Sequence, residues 1–183
     1  MTDMNDSAIT EITGFWREAG PAKWFEKDDA FDDDFRSRFF DRHFAAARRE
    51  YENWVETPEG ALALMVLLDQ YPRNAFRGTG HMYATDHLAR HYARIALERG
   101  HDLTLEQDVR GFLYLPFMHS EDVDDQRRCV ELCRGGSPSN LEYAHDHYDI
   151  IQRFGRFPHR NAILGRQTTP AEQAFLDEGG FAG

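Results

Sequence analysis

The sequence predicts an all-α protein of about eight helices joined as antiparallel hairpins. Three observations carry this. Apolar side chains recur at three- and four-residue spacing along most of the chain, which is the period of one helix face. Gly, Pro and small polar residues punctuate that pattern where helices would start and stop. Alternating β-branched runs, the mark of strands, are missing.

A first helix is expected from about Ser7 to Ala19, stopped by Gly20-Pro21. The second has the clearest stripe: Phe31, Phe35, Phe39, His43, Ala47, Tyr51 and Trp54. Its acidic start, Asp28, Asp29, Asp32, Asp33 and Asp34, suits the positive end of a helix dipole. The D-x-D-x-D-G spacing of a calcium loop is absent there. Thr57-Pro58 opens a third helix as N-cap and first residue. Ala61 to Leu68 is apolar all round, so this helix should be central, and Pro72 should end it near Tyr71.

A fourth helix is expected from Thr79 to about Arg99, and a fifth from Thr104, with Gln107 placed for a capping box, until Pro116. A sixth runs from about Glu121 to Arg134, capped by Ser120, and a seventh from Asn140 to about Phe154. Thr169-Pro170 opens a short last helix. No Gly/Ser- or Pro-rich linker interrupts residues 1–183, so a single helical domain is expected.

Composition narrows the partners. Hydrophobic residues make up 41% of the 183, enough for a core. The net charge of −11 repels nucleic-acid backbones and anionic lipid, so neither is expected as a partner. No apolar run is long enough to span a bilayer, and the acidic N-terminus is unlike a signal peptide. Cys129 and Cys133 form no disulfide pattern. A cytoplasmic protein is expected, and homo-oligomers are compatible with this reading. Lys23 and Lys27 are the only lysines; the other cations are arginines, which suit bidentate pairing with carboxylate or phosphate.

Three polar segments stand out. Asp69-Gln70-Tyr71-Pro72-Arg73-Asn74-Ala75-Phe76-Arg77-Gly78-Thr79 places two arginines before a helix start, a setting that can hold an anion or can simply clamp carboxylates. Leu115-Pro116-Phe117-Met118-His119-Ser120-Glu121 has His beside Ser, but no G-x-S-x-G elbow. Arg153-Phe154-Gly155-Arg156-Phe157-Pro158-His159-Arg160-Asn161 is the densest polar–aromatic cluster. The first and third share an aromatic-Pro…Arg-Asn-Ala echo, which two related hairpins or two similar helix stops would produce. Candidate ligand-binding residues are therefore Arg73, Asn74, Arg77, His119, Glu121, Arg153, Arg156, His159, Arg160 and Asn161.

No metal or cofactor is expected. His87 and His91 share a helical face, but no H-E-x-x-H motif accompanies them. His147 falls on an apolar stripe with Tyr143, Ile150 and Phe154 and reads as a core histidine. Cys129 and Cys133 read as small buried hydrophobes.

Together Leu68–Asn74 with Phe76–Thr79, Tyr114–Glu121, and Ile151 with Arg153–Asn161 and Leu164–Arg166, along with Phe15-Trp16 and Trp24-Phe25, resemble a bacterial family known as domain of unknown function 924. The resemblance implies an all-helical fold similar to tetratricopeptide-repeat proteins and, by that analogy, a binding surface. The 34-residue period of the ordinary repeat is not found in this sequence. The resemblance implies no catalytic residues.

Three functions follow, in this order. The first is a binding module for an anionic small molecule or peptide, using Arg73, Arg77, Arg153, Arg156 and Arg160. The second is a purely structural role for the polar motifs. The third is a hydrolase or transferase on a small anionic substrate, with His119, His159, Glu121 and Asp69 as acids and bases. Enzymatic activity is the least expected.

Overall fold

The computed structural model describes residues 2–181, with side chains from Asp6 onward. The described residues are all-α, without strands. They fall into two compact units: residues up to Arg77 with His81–Pro116, and Gly78–Gly80 with the residues from Phe117 onward. Besides the short segment Gly78–Gly80, the division falls inside a four-residue helical turn, Leu115–Met118, where the sequence carries no linker.

In the first unit, α1 (Thr2–Ala19), α2 (Pro21–Trp24) and α3 (Asp29–Ala47) lead to the central α4 (Pro58–Met65). A π-turn, Val66–Gln70, continues α4 into α5 (Tyr71–Ala75). Then come α6 (Asp86–Glu98) and α7 (Gln107–Arg110). As its sequence demands, every residue from Ala61 to Leu68 is wholly buried. α4 packs against α1 and α6, while α3 packs against α5 and the π-turn. The stripe of α3 meets Phe15 and Trp16 of α1: Phe15 stacks on Phe31 and Phe35, and Trp16 meets Phe112 edge-on at 5.2 Å. Such ring pairs add specific geometry to the burial of large apolar areas.

In the second unit, α8 is the turn Leu115–Met118, shared at the division. α9 (Val123–Cys133) packs on α10 (Pro138–Phe154), and α11 (Pro170–Asp177) packs on a 3-10 turn, Pro158–Arg160. Its small core is Ile150, Ile151 and Phe157, with Phe154, Phe175 and Phe181 against them. Thr169 caps α11 in a full capping box with Glu172, as Thr-Pro-x-Glu spacing allows.

Several expected boundaries move, some to a different capping side chain and others to an intervening turn. Pro72 does not end the third helix. The π-turn supplies an extra residue before it, and Pro72 then sits in the first turn of α5, where no donor is needed. Thr79 does not begin the fourth helix: a 3-10 turn, Gly80–Tyr83, intervenes before Asp86. Thr104 makes no capping box, because its hydroxyl donates backward to the His101 carbonyl at 2.9 Å. Asp122, not Ser120, caps α9, accepting from the N–H groups of Asp124 and Asp125. Ser137, not Asn140, caps α10, with Pro138 following it. Tyr143 leaves the stripe assigned to it and is exposed, whereas His147 is buried and its Nδ1 donates to the Tyr143 carbonyl at 2.8 Å.

Candidate functional site

The candidate residues divide between the units. In the first, the π-turn and α5 bring Asp69 and Arg73 together. Asp69 is wholly buried, and Arg73 Nη1 lies 3.2 Å from its Oδ1 while donating to its backbone carbonyl at 2.7 Å. The same Nη1, together with Nη2, grips Asp86 bidentately at 2.9 and 3.0 Å. Burial works against the Arg73 charge, but Asp69 and Asp86 outweigh it, so the guanidinium is held more firmly protonated than usual. Asn74 donates to Asp32 at 2.7 Å, and Arg77 reaches the other oxygen of Asp32 at 3.0 Å. The Asp32 carboxylate of the acidic α3 start is thus a partner of this corner.

In the second unit, Arg156 donates to both carboxylate oxygens of Glu172 and to the Gln167 carbonyl. The Arg156 bond holds the buried Glu172 carboxyl at about 2, aided by the Thr169 N–H and hydroxyl. Because that value lies below the unfolded one, this pair stabilises the fold above the ordinary carboxylate range. Its contribution is lost as pH falls toward about 2. Glu172→Gln should therefore flatten the acid limb of a stability–pH curve measured by denaturant unfolding; an unchanged limb would remove this assignment.

Glu121 accepts two bonds from Arg166, at 2.7 and 3.0 Å, and one from the Phe157 N–H at 2.8 Å. Burial pushes its carboxyl up, but these partners outweigh it and leave it below its ordinary range. Asn161 is wholly buried and accepts from Arg166 Nε. Arg160 is also buried and stands 4.4 Å over the Phe157 ring. His159 is half-buried between Phe157 and Phe181, and burial drives it down to about 4, so its ring is neutral at pH 7. His119 is half-buried just after α8.

The sequence echo now has a physical meaning. In both copies a wholly buried aromatic, Tyr71 or Phe157, precedes a Pro in the first turn of a short helix, not a helix stop. A buried Asn follows in each, bonded to Asp32 or to Arg166.

Arg153 is different. It is exposed on α10, and its guanidinium lies over rings: 4.7 Å from the Phe154 centroid and 5.6 Å from that of Phe175. Among the described residues no carboxylate pairs with it. It borders a cavity of about 260 Å³ with Asp146, Asp149, Ile150, Phe154, Phe175 and Phe181. Asp149 and Ile150 lie three and four residues after Asp146 and four and three before Arg153, so α10 presents them on one face.

Sequence reasoning missed one polar pair. His43 lies on the α3 stripe, and His81 lies in the Gly80–Tyr83 turn; their Nε2 atoms are 2.9 Å apart. His43 Nδ1 is 2.8 Å from the Leu67 carbonyl of the π-turn. Nothing in the local sequence pairs residues 38 positions apart. Among the described residues no group of three or more His, Cys, Asp or Glu side chains is arranged to hold a metal ion. No described helix is long and apolar enough to cross a membrane.

The comparisons agree with this architecture. A solved structure titled as a protein of unknown function from Agrobacterium tumefaciens is similar over 95% of this chain and 99% of its own, with 55% sequence identity and a TM-score of 0.93. No match is found among curated proteins. The model of a family described as bacterial protein of unknown function, DUF924, matches residues 12–180. The chain therefore belongs to the DUF924 family of bacterial proteins.

Proposed function

We propose that the protein is a helical binding module that receives the anionic group of a small molecule or peptide end on Arg153. The observation that carries this is the state of Arg153: an exposed guanidinium laid on two phenylalanine rings at the edge of a cavity. A guanidinium not already engaged by carboxylate can form bidentate bonds to an incoming carboxylate or phosphate. Phe154, Phe175 and Phe181 supply the apolar wall that such pockets use for most of their contact.

The rim also bears Asp146 and Asp149. Two carboxylates beside one arginine disfavour polyanions and favour a ligand with both signs of charge. A zwitterion with an aromatic or branched apolar group meets all three features: its ammonium faces the aspartates, its carboxylate Arg153, and its side chain the rings. The cavity of about 260 Å³ suits a single amino acid or a peptide end.

A calorimetric panel tests this with phenylalanine, its amide, phenethylamine and short peptides ending in Phe. Phenylalanine should bind, and removal of its carboxylate should weaken binding on the order of tenfold or more, the worth of one charged hydrogen bond. Arg153→Ala should give the same loss without lowering Tm by more than the small amount expected of an exposed ring contact. Equal binding of the acid and the amine, or no binding across the panel, removes the reading.

A second reading is favoured by the clamps themselves. Arg73, Arg77, Arg156 and Glu121 are engaged within their own units, so their role is to hold the chain around the buried Tyr71 and Phe157.

A further inference from the structure

His43 and His81 are the polar pair that neither the arginine corners nor the cavity explains. Their donors can be assigned. The Leu67 carbonyl only accepts, so His43 Nδ1 carries the hydrogen of the 2.8 Å bond. Burial drives His43 down to about 4, so the ring is neutral and its Nε2 is a bare lone pair. The hydrogen in the 2.9 Å contact therefore belongs to His81 Nε2.

The direction of the two rings matters more. Their centroids are 5.2 Å apart while the Nε2 atoms are 2.9 Å apart. The difference equals the sum of the two ring radii, the largest value it can take, so each Nε2 points straight at the other along one line. An ion bound at a tetrahedral or square angle would need both rings to swivel. An ion that prefers two ligands in a straight line needs them only to move apart. With a metal–imidazole bond of about 2.0 Å, that separation is about 4 Å, an opening of roughly 1 Å.

We propose that His43 and His81 form a two-coordinate site for a soft monovalent cation, Cu(I) or its analogue Ag(I), seated on the line between their Nε2 atoms. The surroundings fit a monovalent ion. Tyr71 stacks on His43 at 4.9 Å, and Phe44 and Phe76 flank both histidines. Aromatic walls tolerate one positive charge, whereas a second would be buried without a carboxylate to offset it. Imidazole is a suitable ligand for copper, and coordination geometry is what selects the ion.

The exchange balances without a redox step. The cation forms one bond to each Nε2. The proton on His81 Nε2 moves to Nδ1 of the same ring, so both ligands stay neutral and the site gains one charge. His43 is wholly buried and anchored to the π-turn. His81 is half-buried on a short 3-10 turn and is the ring that would shift.

The test is a titration of the full chain with silver nitrate in chloride-free buffer, followed by ¹⁵N NMR of the histidine side chains. One equivalent should shift the Nε2 signals of His43 and His81 together and convert His81 from the Nε2–H to the Nδ1–H tautomer. His81→Gln, at a half-exposed position, should abolish the His43 shift while leaving the backbone spectrum folded. Three results overturn the proposal: silver taken only by Cys129 and Cys133, no change in either ring, or Zn(II) binding to the pair as tightly as silver does.

Discussion

Arg73→Ala should cost the first unit about 3–5 kcal/mol, the loss typical of removing one partner from a buried ion pair. The reason is what stays behind. Asp69 is wholly buried and Asp86 nearly so, and this one guanidinium bridges the two. The substitution leaves two carboxylates in low dielectric without their shared counter-charge, which outweighs the packing lost from the side-chain stem. Against a total stability of about 5–15 kcal/mol this is a large share, and Tm should fall by on the order of 10 °C. Arg73→Lys should rescue only part, since an ammonium cannot bridge both carboxylates in a fixed fork. Arg77→Ala is the internal control. Its side chain is substantially exposed, so losing its bond to Asp32 should cost no more than about 1 kcal/mol. Thermal melts of the three variants decide the matter. Equal melting of Arg73→Ala and the parent protein would show that the clamp does not hold the fold.

Gly60→Ala should destabilise by about 3 kcal/mol or more, the upper range for overpacking. This runs against the ordinary rule. Alanine inside a helix usually gains roughly 0.5–1 kcal/mol over glycine, and Gly60 lies in the first turn of α4 with no positive φ to protect. Space decides the sign. A Cβ on Gly60 would stand 2.1 Å from the Trp54 carbonyl oxygen and 2.9 Å from Thr57 Oγ1. The first is backbone and cannot swing aside. Thr57 is also fixed, because its hydroxyl accepts from the Gly60 N–H as the α4 cap. Relief requires moving Trp54, which is buried and stacked on Tyr51 at 4.1 Å, or lifting the start of the central helix. Denaturant unfolding should show the midpoint falling with an unchanged slope. A midpoint at or above the parent value would mean that α4 adjusts at no cost.

Much of the fold was legible in the sequence because helix formation and burial are local patterns. The unbroken apolar run Ala61–Leu68 can be satisfied only in an interior, and it is wholly buried. Thr57-Pro58 and Thr169-Pro170 specify their caps within four residues. The family resemblance was legible for the same reason, since it rests on contiguous motifs. Boundaries were legible only where one residue could fill the role. Ser120 and Asp122 both have side chains able to cap α9; the choice turned on Ser120 hydroxyl donating to Asp125. Pro72 looks like a helix stop in the sequence because the π-turn that accommodates it depends on long-range contacts: the Leu67 and Leu68 carbonyls receive His43 Nδ1 and the Thr85 hydroxyl.

The candidate site shows the same divide. The sequence by itself determined that this chain is helical, where its arginines cluster, and that each cluster adjoins buried aromatics. Only the tertiary structure decided which arginines are engaged. Arg73 and Arg156 meet Asp86 and Glu172, 13 and 16 residues away, and Arg77 meets Asp32 at 45, whereas Arg153 lies over the Phe154 and Phe175 rings. His43 and His81 meet at 38. Periodicity reports which face of a helix is buried, because burial repeats with the helix turn. It carries no record of which charge or which lone pair stands opposite, because that partner arrives from a distant element.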